Sequence, residues 1–447
     1  MRKNNLFVIA LCFASLFSIF SCKKSSSSST TGVVGPNIFS GSIDIYSAGN
    51  DTTLQRFLDG KYTTVSGSVV LATSDAIDYK KYFANLVMIQ GSITLYKIPN
   101  KDLSFLSTLR SVTGGFQISA CPQITNFSGL AAIDSIVGSI SVDRNPKLKN
   151  FVGLETILTT GAITVTANPV FDSFNGLQNM TTMTGSLTVT QNPILQSVVG
   201  LTALTSIGGD LNFSGNPVFT GFTGFANLLE VKGTLSLASL PQMLSLANLT
   251  PVNDTITSIS VIDCNGLTNF QGLNNIPCIK HDLSVVSCLN LDNLSGLSKI
   301  DTIRGVIELS KLEKLTSLTG LNGIKYIKKN VRISECNSLV GMSGFALLDS
   351  IGGDFVVQNN AMLNNFSGFS KTKAITGKIE ILENNALTSL DGLDNLRNAR
   401  STLDIYYNPN LTGYCAIKWL NLVGPAYISL NKFSPTWAQI QTGDCSR

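Results

Sequence analysis

The side chains that could carry chemistry are few in this sequence. His281 is the only histidine, so a Ser-His-Asp or Cys-His arrangement could be built around that residue alone. No spacing of histidine, cysteine and carboxylate residues resembles a zinc site, and no glycine-rich phosphate loop follows a predicted strand. We therefore expect no enzymatic activity, no metal centre and no cofactor.

Acidic and aromatic residues come close together in the sequence near the C-terminus. Carboxylates are ligands for Ca²⁺, although an acidic face in water is the simpler interpretation. Tyrosine rings could stack on a sugar or on a protein surface. We call the following five residues the C-terminal patch: Glu380, Glu383, Asp404, Tyr406 and Tyr407.

Two further groups of side chains recur at a fixed interval. Ala238, Ile262 and Val286, here called the apolar strip, are spaced 24 residues apart. An exposed apolar strip can mark a partner site, whereas scattered surface apolarity is common. Two Thr-x-Thr pairs resemble those of ice-binding solenoids, but the neighbouring stretches do not continue them, so ice binding is a remote alternative. These pairs are Thr164, Thr166, Thr188 and Thr190.

A repeat explains how distant residues could be brought together. If the first apolar residue of each repeated phrase is taken as an anchor, the spacing is 24 residues almost throughout, with two steps of 23. Such a period is the signature of a solenoid. The anchor and the residue two positions later alternate with polar residues, which predicts a short strand with one buried face. The anchors are Ile93, Phe116, Ile140, Ile163, Leu187, Leu211, Leu235, Ile259, Leu283, Ile307, Val331, Phe355, Ile379 and Leu403.

A small polar residue follows most anchors by five positions. A buried amide needs hydrogen-bond partners, and stacked asparagines can bind backbone groups of the adjoining turn. A thiol is small and tolerates burial in the same place. The predicted structural ladder is Asn145, Asn168, Asn192, Asn216, Asn360, Asn384 and Asn408, with Cys121, Cys264, Cys288 and Cys336 at equivalent positions.

The pattern resembles the leucine-rich repeat but departs from it on both flanks. The apolar residue after Asn or Cys comes one place late, as in Asn145-Pro146-Lys147-Leu148, and a glycine often separates the anchor from the apolar residue before it. These departures, and the phrase from Leu103 to Gly114, are similar to the receptor L-domain. The closest overall resemblance is to L-domain-like lipoproteins of the Bacteroidetes type. It implies a surface-exposed recognition role and supplies no catalytic residues.

The predicted fold class is an all-β solenoid. We expect a right-handed parallel β-helix of about 16 coils, capped at both ends, with a length of roughly 75 Å at about 4.8 Å per coil. The predicted domains are an N-terminal capping coil at 37–67, the L-domain-like repeat solenoid at 68–412 and a C-terminal cap at 413–447.

The first residues predict targeting and attachment to a membrane. Residues 1–22 have a charged start, an apolar centre and the sequence Ile19-Phe20-Ser21-Cys22, which resembles a bacterial lipobox. We expect Cys22 to be lipidated; an ordinary secretory signal with an incidental cysteine is the alternative. Residues 23–36 form a serine-rich tether. An outer-membrane lipoprotein on the cell surface is predicted, although Lys23-Lys24 leaves a periplasm-facing attachment open.

The remaining cysteines divide into two groups. Cys415 and Cys445 bracket the C-terminal cap and are the best disulfide candidates. Cys264 and Cys288 are expected to be free and buried, because in-register side chains about 4.8 Å apart are too distant for a disulfide. Cys278 is unassigned.

Composition restricts the function further. Charged residues are 13% of the chain, and without Arg2 and Lys3 it has 30 basic and 28 acidic residues. This balance does not suit a nucleic-acid binder. The sequence therefore predicts a lipid-anchored, non-catalytic recognition or adhesion protein that binds an unknown protein or glycan partner through its strand face. A structural envelope spacer without a specific ligand is the alternative.

Overall fold

The computed structural model describes residues 37–47, 52–130, 132–249 and 255–447. The predicted signal peptide, Cys22 and the tether lie outside these residues.

Alternating apolar residues form one short strand in each turn, which we call a rung. In the rung Ile140–Asp143, Ile140 and Val142 are fully buried, whereas Ser141 and Asp143 are partly exposed. Each strand pairs in parallel with the strands of the previous and the next turn, and the anchors face each other, as Ile140 faces Ile163. The buried side chains of successive turns form one continuous core.

These strands form a long sheet of 17 members. They are Ile43–Ile45, Val69–Leu71, Ile93–Tyr96, Phe116–Ser119, Ile140–Asp143, Ile163–Thr166, Leu187–Thr190, Leu211–Ser214, Leu235–Ala238, Ile259–Ile262, Leu283–Val286, Ile307–Ser310, Val331–Ser334, Phe355–Gln358, Ile379–Leu382, Leu403–Tyr406 and Ala426–Ser429. The predicted parallel β-solenoid, with its period of about 24 residues, is thereby confirmed.

The last of these strands was not predicted as part of the repeat. Ala426–Ser429 pairs in parallel with Leu403–Tyr406, within the region assigned to the C-terminal cap. Its anchor is a small alanine preceded by Pro425, so the large apolar anchor that marks the earlier rungs is missing. The register nevertheless continues, because Ile428 faces Ile405.

A second side of the solenoid carries three sheets made of two-residue strands. The first contains five strands: Ile38–Phe39, Thr64–Val65, Met88–Ile89, Ser111–Val112 and Ser135–Ile136. The second contains four: Thr159–Thr160, Thr182–Met183, Ser206–Ile207 and Glu230–Val231. The third contains seven: Cys278–Ile279, Thr302–Ile303, Tyr326–Ile327, Ser350–Ile351, Ala374–Ile375, Asn398–Ala399 and Asn421–Leu422.

Helices are short in the described part of the chain. The α-helices are Thr52–Asp59, Tyr79–Phe83 and Trp437–Thr442, and the 3₁₀ helices are Ser104–Leu106, Ser343–Phe345 and Cys415–Ile417. None of these helices has the length and apolar character needed to cross a membrane.

Aromatic packing covers the first turns. The helix Thr52–Asp59 buries Leu54 and Phe57, and the Phe57 ring lies 5.7 Å from Phe39 and 5.8 Å from Phe83, centroid to centroid. Further along, Phe127 and Phe151 stack at 5.4 Å in the core.

The C-terminal end is held by a covalent bond and by a buried tyrosine. Cys415 and Cys445 are joined by a disulfide with their Cα atoms 5.0 Å apart. Tyr414 is fully buried, and its hydroxyl donates to the Phe433 carbonyl at 2.7 Å. These contacts hold the segment that ends in the helix Trp437–Thr442 against the last turns.

Candidate functional site on the outward strand face

The outward face of the long sheet consists of two rows of side chains. We call the residues one position after each anchor the first outward column, and those three positions after it the second outward column. Because the strands are parallel and in register, members of a column lie about 4.8 Å apart along the solenoid. In the first column, for example, Asp404 lies between Glu380 and Tyr427.

A left-handed bend follows most rungs, starting with the rung Ile93–Tyr96. The residue four positions after the anchor has φ between 52° and 59° in most turns, and Gly215 takes the same place with φ 63°. The non-glycine bend residues are Lys97, Ala120, Arg144, Ala167, Gln191, Ser239, Asp263, Ser287, Lys311, Glu335, Asn359, Glu383, Tyr407 and Leu430. The bend directs the next residue into the core, because the ladder position that follows it is buried.

This bend divides the C-terminal patch. Glu380, Asp404 and Tyr406 belong to the outward columns, whereas Glu383 and Tyr407 stand at the bend and are exposed. The structure therefore brings three of the five residues together on the strand face and places two beside it.

The asparagine ladder connects successive turns through side-chain to backbone bonds. Asn145 Oδ1 accepts from the Cys121 backbone N–H at 3.0 Å, and Asn145 Nδ2 donates to the Ile118 carbonyl at 3.0 Å. The Asn145 backbone N–H then donates to Asn168 Oδ1 at 2.9 Å. The same pattern continues through Asn192 and Asn216 and recurs through Asn360, Asn384 and Asn408.

The ladder has one more member than the sequence predicts. Asn431 Oδ1 accepts from the Asn408 N–H at 2.9 Å, and its Nδ2 donates to the Ile405 carbonyl at 2.9 Å. Asn431 stands five residues after Ala426, so the spacing was visible, but the unusual anchor concealed it.

Cysteines at ladder positions reach the same carbonyls as the asparagines. Cys336 Sγ lies 3.7 Å from the Leu309 carbonyl and 3.5 Å from the Ser334 carbonyl. Asn360 Nδ2 donates to the equivalent carbonyls one turn later at 3.1 and 3.0 Å. A thiol at this position therefore provides a weaker version of the amide donor.

The ladder cysteines form no disulfide. Cys264 and Cys288 are free and buried on adjacent turns, and Cys278 is free and half-buried. Burial raises the pKa of the Cys121 thiol to about 11. A hydrogen bond with Cys288, together with burial, raises the pKa of Cys264.

The apolar strip is continuous in space. In the second outward column Ala238 pairs in register with Ile262, and Ile262 pairs with Val286. All three side chains are half-buried. Ser214 and Ser310 lie at the two ends of the strip, so it is bounded by hydroxyl groups.

The two Thr-x-Thr pairs lie next to each other on neighbouring rungs. Thr164 faces Thr188, and the hydroxyls of Thr166 and Thr190 share a hydrogen bond of 3.1 Å. The flat threonine array covers only these two rungs, because the rungs on either side carry other residues: Ser141, Asp143, Asn212 and Ser214.

A lysine connects the acidic residues of the C-terminal patch. Lys378 Nζ lies 2.6 Å from Asp404 Oδ2 and 2.7 Å from Glu380 Oε1. The hydrogen bonds to Asp404 and Glu380 raise the pKa of Lys378, so the ammonium stays charged. Burial, followed by the nearby Asp404 charge, raises the pKa of Tyr406.

Sequence reasoning missed two residues of this cluster. Lys378 immediately precedes the anchor Ile379, so the alternation of the strand already predicts an outward side chain there. Tyr427 adjoins Asp404 but follows the unrecognised anchor Ala426. If the C-terminal patch bound Ca²⁺, the ion would lie between the carboxylates of Glu380 and Asp404. The Lys378 ammonium contacts both of these carboxylates.

No metal-binding cluster of three or more His, Cys, Asp or Glu residues occurs within the ranges described. His281, the lone histidine, is exposed.

The geometry defines the class of protein as a parallel β-solenoid with about 24 residues in each turn. No protein-family model matches the chain, and no curated protein matches it in sequence. One similar solved structure is the crystal structure of a TLR13–ssRNA13 complex, with 12% identity and a TM-score of 0.23 over 82% of this chain and 78% of that chain. Similarity at this level carries no argument about the function of this chain.

Proposed function

We propose that this chain is a lipid-anchored protein of the bacterial cell envelope that recognises a protein or glycan partner through its outward strand face, without catalysis. The sequence around Cys22 supports the anchor, and the solenoid supports the long binding face. The observation that carries the recognition role is the apolar strip. Three apolar side chains adjoin there on consecutive rungs, in the second outward column, which is otherwise mainly polar.

The strip suits a partner because its burial would be favourable. Partly exposed apolar area that is removed from water contributes about 25 cal/mol per Å². The first outward column beside the strip carries hydroxyls at Ser236, Ser260 and Ser284, which can hydrogen-bond to the same partner. An apolar centre with a polar rim is the usual anatomy of a recognition surface.

The experiment that tests this role replaces Ile262 and Val286 with lysine in one variant. Cells carrying the protein are compared for adhesion to a panel of immobilised matrix proteins and glycans. We expect the double variant to lose adhesion, because two charges would have to be desolvated in the interface. Val340→Lys is the matched control, since Val340 is exposed (44%) outside the strand face. Adhesion that survives in the double variant would remove the strip from the proposal and favour the structural spacer.

A further inference from the structure

A cavity lies on the second side of the solenoid, just before three strands of the seven-membered sheet. It has a volume of about 510 Å³, within the roughly 300–1,000 Å³ of typical ligand pockets. Three successive turns line it in two columns. One column is Leu347, Lys371 and Asn395, and the other is Asp349, Lys373 and Arg397, with Ser370 beside the first.

The two columns form the walls of a trough. In each turn the residue between them is buried, as Leu348, Thr372 and Leu396 are. Backbone bonds keep the turns in register, since the Lys373 N–H donates to the Asp349 carbonyl and the Arg397 N–H to the Lys373 carbonyl, both at 2.9 Å. Neighbouring members of a column are thus about 4.8 Å apart, so one small ligand can contact all three turns.

Positive charge dominates the lining. Lys371, Lys373 and Arg397 stand against one carboxylate, Asp349, which leaves a net charge of +2. Lys373 Nζ lies 3.0 Å from Asp349 Oδ1, so this carboxylate is already paired and two of the three ammonium donors are left. Lys371 forms no ion pair with any residue that the structure describes. The cavity therefore favours an anion, and a doubly charged one would neutralise it.

The guanidinium of Arg397 is held in place before any ligand arrives. Its Nη1 donates to the backbone carbonyls of Asp394 and Leu396 at 2.5 and 3.3 Å. The Asp394 carboxylate is bound to the Gly392 N–H at 2.9 Å. The remaining guanidinium donors of Arg397 suit bidentate contact with an oxyanion. Because the group is already positioned, it loses less conformational entropy on binding.

The rest of the cavity suits an uncharged organic group. An oxyanion alone would fill only a fraction of its volume. Leu347 is 38% exposed and offers an apolar contact. Asn395 Nδ2 donates to the Ser370 carbonyl at 2.6 Å, so the amide is fixed and its Oδ1 can accept from a ligand hydroxyl. The Ser370 hydroxyl can serve as donor or acceptor.

From this arrangement we propose that the cavity binds the phosphomonoester group of a small organic ligand of about the size of one sugar. Such a phosphate carries about −1.5 to −2 charges at pH 7 and three strong acceptor oxygens, which match the net charge and the donors of Lys371, Lys373 and Arg397. A carboxylate or a sulfate ester carries a single charge and would leave the cavity positive. The inference goes beyond the proposed function, because none of the lining residues belongs to the outward strand face.

The test titrates the purified full chain by calorimetry with ligands of one size and increasing charge: glucose, glucuronate and glucose 6-phosphate. Inorganic phosphate is the fourth ligand and separates the ester from the free ion. Concentrations reach about 10 mM, which detects Kd values near 1 mM. We expect glucose 6-phosphate to bind at least about tenfold more tightly than each of the other three, because only it supplies both the double charge and the sugar-sized group.

The site variant is the double substitution Lys371→Gln and Arg397→Gln. We expect it to weaken binding of glucose 6-phosphate by about tenfold or more, since two charge-assisted contacts are lost. Lys329→Gln with Arg400→Gln is the matched control, because it removes the same charge from exposed residues outside the cavity and should bind as wild type. Lys371→Gln alone keeps the test valid if the loss of the Arg397 backbone contacts disturbs folding, as judged from the circular dichroism spectrum.

Four results would overturn the inference. They are no binding of glucose 6-phosphate, glucuronate binding as tightly as the phosphate ester, inorganic phosphate binding as tightly as the ester, and equal binding by the site variant and the matched control. The adhesion experiment on the apolar strip is independent of all four, so the proposed function can stand or fail separately.

Discussion

At the scale of single residues, the ladder asparagines satisfy backbone groups that the turns leave without strand partners. Asn168 accepts from the Asn145 N–H at 2.9 Å and donates to the carbonyls of Val142 and Thr166 at 3.1 and 2.9 Å. The bonds to Asn145 and Val142 are buried, and the bond to Thr166 is partly buried. The side chain therefore replaces a missing piece of sheet hydrogen bonding.

Asn168→Ala should lower the free energy of unfolding by roughly 2–4 kcal/mol, since each buried polar group left without a partner costs about 1–3 kcal/mol. Asn168→Cys should cost about half as much, because the thiol restores the donor but not the acceptor. The measurement is urea unfolding followed by circular dichroism.

Asn337→Ala is the matched control for that series, because the Asn337 amide donates to the exposed Glu313 carboxylate, at 3.2 Å. Its effect should stay within about 0.5 kcal/mol. Equal losses in Asn168→Ala and Asn337→Ala would show that burial of the amide does not matter.

The sequence could predict the ladder members because the buried position that they occupy recurs at the fixed interval of the repeat. It could not predict the Lys378–Asp404 contact, since the repeat specifies that both side chains point outward but not which rotamer each adopts.

At the scale of elements, the unit of the fold is a strand followed by a left-handed bend. Non-glycine residues in that conformation cost about 1–2 kcal/mol relative to ordinary backbone. Non-glycine residues occupy nearly all of the left-handed bends, and Gly215 is the one glycine among the bends of the described chain. The bend was missed in the sequence because the residues there have no common type: Lys311, Glu335 and Tyr407 share only their position.

Lys311→Gly should stabilise the protein by roughly 0.5 kcal/mol, the relief of left-handed strain less the entropy that glycine loses on folding. The Lys311 N–H donates to the Ser334 carbonyl at 3.0 Å, and glycine keeps that bond. The urea midpoint is the measurement. Ser284→Gly, inside a strand of the same face, should instead destabilise by about 0.5–1 kcal/mol. A loss of stability in Lys311→Gly would mean that the lysine side chain makes a contribution greater than the strain.

At the scale of the whole molecule, one side of the solenoid is a regular sheet and its two ends are closed differently. Rings and a helix cover the first turns, whereas a disulfide and Tyr414 hold the last. The period of the sequence predicted this architecture nearly completely. The ends were predicted less well, because a terminal turn packs against a single neighbour and need not follow the repeat, as Ala426–Ser429 shows.

The proposed location is tested on intact cells. We expect added protease to remove the wild-type protein from the surface and Cys22→Ala to be released into the medium or the periplasm, because a lipid chain is what holds the protein to the membrane. Detection by antibody after fractionation is the measurement. A periplasmic protein of known location is the control for membrane integrity. Wild-type protein that resists protease until the outer membrane is opened would place it facing the periplasm, and the adhesion role would then be dropped.

Because the strands of the long sheet keep a strict register, the number of repeats sets the distance between the apolar strip and the C-terminal patch. Ile262 and Leu403–Tyr406 are separated by six steps of the sheet, or roughly 29 Å at about 4.8 Å per step. Deleting or duplicating one internal repeat would change that separation by one fixed increment and leave both sets of side chains intact. The distance between two epitopes on a single ligand is thus encoded in the number of repeats, and a lineage could alter it by unequal recombination without redesigning either site.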